Sequence, residues 1–245
     1  MSMTTIELLY PEFGNQAGDN GNALYLKACL PHAQFIETSF GQEPAFVGRN
    51  DISCILLGCM TEKQQERVLN ELLPHAERLK ELIDQGVSML FTGNAVELLG
   101  TMIITPQGRG LPALGVANFV THIKMPTRYV SVCKGSCQLN HASEPFELVG
   151  CKMQFTQAEP GGKVPALAEL SQGFGLNEGS TYEGVHIKNL VGTWFLGPVL
   201  TQNPPLTRWL LDTMGETEAP LAYHDLVWEG YRQRVQDFAT PGISL

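Results

Sequence analysis

The stretch Val87-Ser-Met-Leu-Phe-Thr-Gly-Asn-Ala-Val-Glu-Leu-Leu-Gly100 limits the possible folds more than any other part of the chain. Val87 to Phe91 has the apolar run of a buried strand. Thr92-Gly93-Asn94-Ala95 is a sharp turn, and the residues after it begin a helix. Strand, tight turn and helix make the geometry of a nucleophile elbow, whose tip residue is held at positive φ with its side chain clear of the sheet. Here the tip is Gly93, which has no side chain. A non-glycine residue at such a tip stores roughly 1–3 kcal/mol of strain, and glycine relieves it.

Strand–helix alternation runs up to residue 100. Thr5–Tyr10, Ala33–Phe40 and Asp51–Gly58 read as strands, the last apolar throughout, as expected when both faces are covered. Asn22–Cys29 carries helical spacing, with Asn20 or Asn22 as its N-cap. Thr61 opens a long helical stretch to Gln85, which Pro74 kinks or breaks. This order predicts an α/β fold with a parallel or mixed sheet and helices on both faces. Ligands on such folds sit beyond the carboxyl ends of the strands. The loops after Tyr10, Gly58 and Phe91 share that edge.

From Thr101 the pattern changes to short β-like runs between Gly/Pro turns: Met102–Thr105, Tyr129–Val132, Leu148–Phe155, and two strands within Thr181–Leu196. Pro204–Asp212 and Leu221–Phe238 read as helices. The expected organisation is one domain over residues 1–238, with 239–245 a loose tail.

The 245 residues suffice for a sizeable core. A net charge of -9 argues against a nucleic-acid surface. No apolar run reaches the length of a membrane span, and no signal-peptide pattern opens the chain. A cytoplasmic chain is expected. Of the six cysteines, only Cys133 and Cys137 are closely spaced. With no second pair, the pattern predicts buried free thiols and no metal site. No cofactor motif is read.

Several stretches, in order, resemble class I glutamine amidotransferases of the cobyric acid synthase (CobB/CobQ) type, and within them the glutaminase subunits of lipid II isoglutaminyl synthases. Tyr10-Pro11 followed by Gly18-Asp-Asn-Gly-Asn22 is similar to that family's first loop. Thr181-Tyr-Glu-Gly-Val185 with Lys188-Asn-Leu-Val-Gly-Thr193 is similar to its E-G-V-x-x-K-N-x-x-G-T run. Gly197-Pro198, Asn203-Pro204 and Trp209-Leu-Leu211 are similar to its G-P, N-P and W-L-L pieces. The resemblance covers roughly residues 5–212. It implies a flavodoxin-like, class I glutamine amidotransferase fold and a Mur-ligase-like or other amide-forming synthetase as partner.

The departures are as informative. Where the family's elbow reads V-C-G-G-Y-Q-L-L-G, its catalytic cysteine falls on Gly93. The family's histidine falls on Leu196. Its G-G-G-Q-D oxyanion loop falls on Gly58-Cys59-Met60-Thr61-Glu62, and its G-F-E-N-H on Gly150-Cys-Lys-Met-Gln154. Amide hydrolysis needs a thiolate, a base to form it and donors for the tetrahedral oxyanion. Gly93 and Leu196 supply neither of the first two, so a non-catalytic subunit that binds a partner or ligand is expected. The alternative is an active amidotransferase, in cell-wall or cobyric acid amidation, with a relocated nucleophile such as Cys59; a buried spectator thiol is the plainer reading of Cys59. Thr92 precedes the tip and turns toward the sheet side. Arg128, loosely aligned with a glutamine-contacting arginine, is either a ligand contact or a surface side chain. Asn94 is a candidate ligand-binding residue. Glu62 and Glu97 read as helix-surface or first-turn carboxylates. His186 reads as a solvent- or partner-facing histidine. The late aromatics Trp194, Trp209, Tyr223 and Trp228 are candidates for an exposed docking patch.

Overall fold

A computed structural model describes residues 3–142 and 144–238. The expected tail, 239–245, lies outside the described residues. The first half builds β1 (Thr5–Leu9), α1 (Asn20–Cys29), β2 (Gln34–Thr38), α2 (Ala45–Gly48), β3 (Cys54–Leu57), α3 (Glu62–Leu72), α4 (Ala76–Asp84) and β4 (Ser88–Thr92). The second half adds β5 (Met102–Ile104), β6 (Gly110–Pro112), β7 (Phe119–Ile123), β8 (Tyr129–Cys137), β9 (Phe146–Gln154), β10 (Thr156–Pro160), β11 (Ala168–Gln172), β12 (Tyr182–Glu183), β13 (Val185–Ile187) and β14 (Leu190–Thr193). It closes with α5 (Val199–Gln202), α6 (Pro204–Thr213) and α7 (His224–Asp237).

The main sheet has six strands in the order β13-β14-β4-β3-β1-β2. Its pairings are parallel except for the edge hairpin of β13 and β14. Every residue of β1, β3, β4 and β14 is buried. That fits strands with both faces covered and explains their unbroken apolar runs. One apolar cluster, with Leu69, Leu72, Leu79, Phe91 and Trp194, contains residues of α3 and α4. The other, with Leu26, Leu56, Leu90, Trp209 and Leu210, contains residues of α1 and α6. Two four-stranded sheets, β10-β7-β5-β6 and β12-β11-β8-β9, come from the second half.

Pro74 acts as expected: α3 stops at Leu72, a 3₁₀ turn spans Leu73–His75, and α4 starts at Ala76. Thr61 caps α3 in a full capping box with Gln64. Two local expectations are corrected. Helix α1 begins at Asn20 with Asp19 in the N-cap position. The side chain of Asn22 is instead used over distance, accepting from the backbone N–H of Leu200 at 3.1 Å. The elbow does not lead into an α-helix: Gly93–Leu99 is a 3₁₀ helix. All of it except Asn94 is buried, so it runs inside the core rather than along a surface.

Candidate functional site

Gly93 stands at the end of β4 with φ +59, the left-handed tip that the turn sequence implies. The loop after β3 runs directly beside it. A Cβ built on Gly93 would lie 2.5 Å from the Cβ of Cys59 and 2.8 Å from its Sγ. The Cys59 side chain therefore fills the volume that a nucleophile's side chain would need. No base stands in the matching place, since Leu196 is half-buried and its backbone N–H is tied to Cys151 O at 2.9 Å.

The backbone N–H groups of Met60 and Gly93 at this corner are already used. The N–H of Met60 donates to Asn94 Oδ1 at 3.0 Å, and Asn94 Nδ2 returns a bond to Met60 O at 2.7 Å. The Asp19 carboxylate accepts from the Ala17 N–H at 3.3 Å and from Thr92 Oγ1 at 2.6 Å. The N–H of Gly93 goes to Phe195 O at 3.2 Å. A tetrahedral oxyanion needs two such donors free and converging. Thr92, held by Asp19, faces the sheet side of the turn as its position implied.

Burial pushes the Cys59 thiol up to about 12. The carboxylates of Asp19, Glu97 and Glu62 push the same way, and only the Asn94 N–H opposes them. A thiol so placed stays protonated at neutral pH and is a poor nucleophile.

The corner opens onto a cavity of about 430 Å³. Cys59, Met60, Glu97, Gln154, Trp194 and Leu196 line it, with Arg128 and Phe155 also contributing. Arg128 is exposed, and its guanidinium lies 4.8 Å from the centre of the Phe155 ring. Arg128 is thus a surface side chain that also borders the cavity. Asn94 borders it too, but its carboxamide is occupied by the Met60 backbone.

Glu97 corrects the sequence reading. It is not a surface carboxylate but is 0% exposed, because the 3₁₀ turn aims it inward. Its Oε1 accepts from Thr156 Oγ1 at 2.6 Å and from Trp194 Nε1 at 3.2 Å, and its Oε2 from Gln65 Nε2 at 2.7 Å. Gln65 also donates to Asn94 O at 2.7 Å, tying this network to the elbow. Burial lifts the Glu97 carboxyl to about 7, against the pull of those three hydrogen bonds. Glu62, by contrast, sits in the first turn of α3 as expected.

A second buried pair underlies the cavity. Lys152 and Glu183 are both 0% exposed and in direct contact. Lys152 Nζ also donates to Gly175 O at 2.8 Å and lies over the Trp194 ring at 5.7 Å. Glu183 accepts from Thr193 Oγ1 and from the backbone N–H of Trp194, at 2.8 and 2.9 Å. The pair thereby fixes the indole that forms one cavity wall.

The other singled-out residues lie elsewhere. His186 does not face solvent. It is partly buried, bonded to Asn140 Oδ1 at 2.7 Å and packed edge-on to Trp209, and burial lowers its pKa. Trp194 and Trp209 are core residues, and Trp228 is half-buried, which leaves only Tyr223 of the late aromatics well exposed. Cys133 and Cys137 are free and buried. Among the described residues no helix is long and apolar enough to cross a membrane.

Two curated relatives are similar to the sequence. The sequence is 26% identical over 170 residues to the GatD subunit of the glutamine-hydrolysing lipid II isoglutaminyl synthase of Staphylococcus aureus. It is 24% identical over 238 residues to the GatD subunit of Streptococcus pneumoniae. The chain is a homologue of the GatD subunits. The match covers 66% of the chain and 64% of the staphylococcal protein, so the chain spans less than two thirds of that relative. It covers 94% of the chain and 89% of the pneumococcal one. No family model matches the sequence. Among solved structures, PurLQS from Thermotoga maritima aligns with a TM-score of 0.55 over 96% of this chain and all of that one, at 11% identity. A glutamine amidotransferase aligns with a TM-score of 0.51 over 85% of this chain and 98% of its own, at 15% identity. At those identities the structures speak for the fold alone, a class I glutamine amidotransferase-like α/β fold.

Proposed function

We propose that this chain is a glutamine amidotransferase-like subunit without glutaminase activity, acting beside an amide-forming synthetase of the Mur-ligase kind in the amidation of lipid II. The observation that carries the first half is the closed elbow. Gly93 has no nucleophile, Cys59 fills its place, and the N–H of Met60 is spent on Asn94 Oδ1. Losing one triad member or one oxyanion donor alone costs orders of magnitude in rate. Here the nucleophile, the base and the Met60 donor are missing together.

The partner half rests on the relatives, both named as subunits of a synthase. Exposed apolar side chains support it. Val130 and Met153 face each other across β8 and β9 and are both about half exposed, and Met125 is nearly as exposed. Met153 also borders the cavity. Such residues suit a surface that is covered in a complex. Arg128 and Asn94 are then wall residues of a ligand or partner pocket rather than parts of a glutaminase.

One observation favours the second reading, an enzyme with Cys59 as nucleophile: its sulfur lies within 3 Å of where the Cβ at position 93 would be. Its raised pKa and the leucine at 196 weigh against that reading. Isolation from the native host tests the partner half. Recovery together with an amide-forming synthetase is expected, and recovery only as a free monomer or homodimer would overturn it.

A further inference from the structure

Glu97 is the point at which three separately held parts of the cavity meet. Its Oε1 accepts from Thr156 Oγ1 on β10 and from the indole N–H of Trp194 just beyond β14, and its Oε2 accepts from Gln65 Nε2 on α3. Gln65 Nε2 also donates to Asn94 O at 2.7 Å, which carries the connection to the elbow. The family's elbow pattern has glutamine at this place, which holds no titrating proton. A carboxyl does.

The three donors do not answer a change of charge alike. An indole N–H can only donate. The Gln65 carboxamide cannot flip to offer its oxygen, because that would set the oxygen against Asn94 O. Only Thr156 has a hydroxyl that can both give and take a proton in a hydrogen bond. An ionised Glu97 therefore accepts all three bonds, each charge-assisted. A protonated Glu97 keeps the Gln65 and Trp194 bonds as weaker, neutral ones. Its own proton goes to Thr156 Oγ1, which reverses that bond.

We propose that Glu97 is a proton-operated latch on the cavity. Ionised, it grips Trp194, Thr156 and Gln65 and so ties the cavity wall to the elbow. Protonated, it slackens its hold on the indole and turns the Thr156 hydroxyl round. Burial brings the change to about pH 7, and Glu62 of α3 pushes the same way. The other groups around the hub leave it to titrate. Cys59 is a neutral thiol. Lys152, 5.7 Å from the indole centre, is neutralised by its contact with Glu183. Arg128 borders the cavity but is exposed to solvent. The tightening is local to the folded state: the ionised hub grips its neighbours more closely while the fold as a whole loses stability over the same range. The latch is the same whether or not the elbow hydrolyses glutamine, so an ammonia assay and the test below give separate results.

NMR on the full chain reads the latch. The indole N–H of Trp194 and the side-chain amide of Gln65, both assigned through bonds, are followed from about pH 5 to 9. Both are expected to titrate with one shared midpoint near 7, the indole proton moving downfield as pH rises because its acceptor becomes charged. Glu97→Gln should abolish both transitions. Thr156→Val, a near-isosteric change that keeps the test open should the first variant fail to fold, removes one donor to the ionised form. Its midpoint should rise by about one pH unit. Flat resonances across the range, different midpoints at the two groups, transitions that persist in Glu97→Gln, or an unmoved midpoint in Thr156→Val would each overturn the proposal.

Discussion

Gly93 and Cys59 share one volume: a Cβ at the first would lie 2.5 Å from the Cβ of the second. The relationship makes the two positions interdependent. A side chain at the elbow tip requires a smaller residue at 59, and the thiol at 59 requires glycine at the tip. The closed elbow is therefore built into the packing of two loops.

A double-mutant cycle reads this dependence. Gly93→Cys is expected to destabilise by about 2–4 kcal/mol, from positive φ and overpacking together. Adding Cys59→Gly should return the packing share and leave the backbone share. Urea denaturation of the four species gives the coupling, and simple additivity would show that the two side chains do not compete. Gly93→Cys with Leu196→His should remain without glutaminase activity, because the Met60 N–H stays bound to Asn94.

Lys152→Met is expected to cost about 3–5 kcal/mol, because it leaves Glu183 charged and unpaired in the core. Tryptophan fluorescence should also shift, since Glu183 fixes the backbone of Trp194. Thermal unfolding close to that of the parent chain would show the pair to be dispensable.

Glu97 sets a pH dependence whose sign is fixed. Its carboxyl rises from 4.5 to about 7 on folding, so the folded state holds the proton more tightly than the unfolded one. Its contribution is favourable below about pH 4.5, fades as pH rises through 7, and is gone above that. The span is on the order of 3 kcal/mol. Glu7 and Asp19, also raised by burial, act in the same direction. Glu97→Gln should flatten the fall in stability between pH 5 and 8 without removing it. An unchanged slope would mean that Glu97 is not held protonated.

Much of the frame was legible because it rests on local chemistry. The apolar runs of β3 and β4, the break at Pro74 and the glycine at the tip each follow from one residue type in one place. The site was less so. Glu97 looked like a surface carboxylate because its partners, Gln65, Thr156 and Trp194, come from three distant parts of the chain. The clash between Cys59 and position 93 likewise depends on how two parallel strands register, which spacing does not reveal. Gln16, whose backbone N–H is bonded to Cys59 O, and Gln154 were also missed as cavity residues. The one signal for Gln154 was its place in a segment that departs from the family pattern.

The most direct test of the closed elbow is ammonia release from glutamine by the purified chain, alone and with any synthetase that accompanies it, together with labelling by a glutamine-analogue electrophile. The account predicts ammonia at background and no rapid labelling of Cys59. Turnover in the usual enzymatic range of about 1–1000 per second, or fast covalent capture of Cys59, would contradict it.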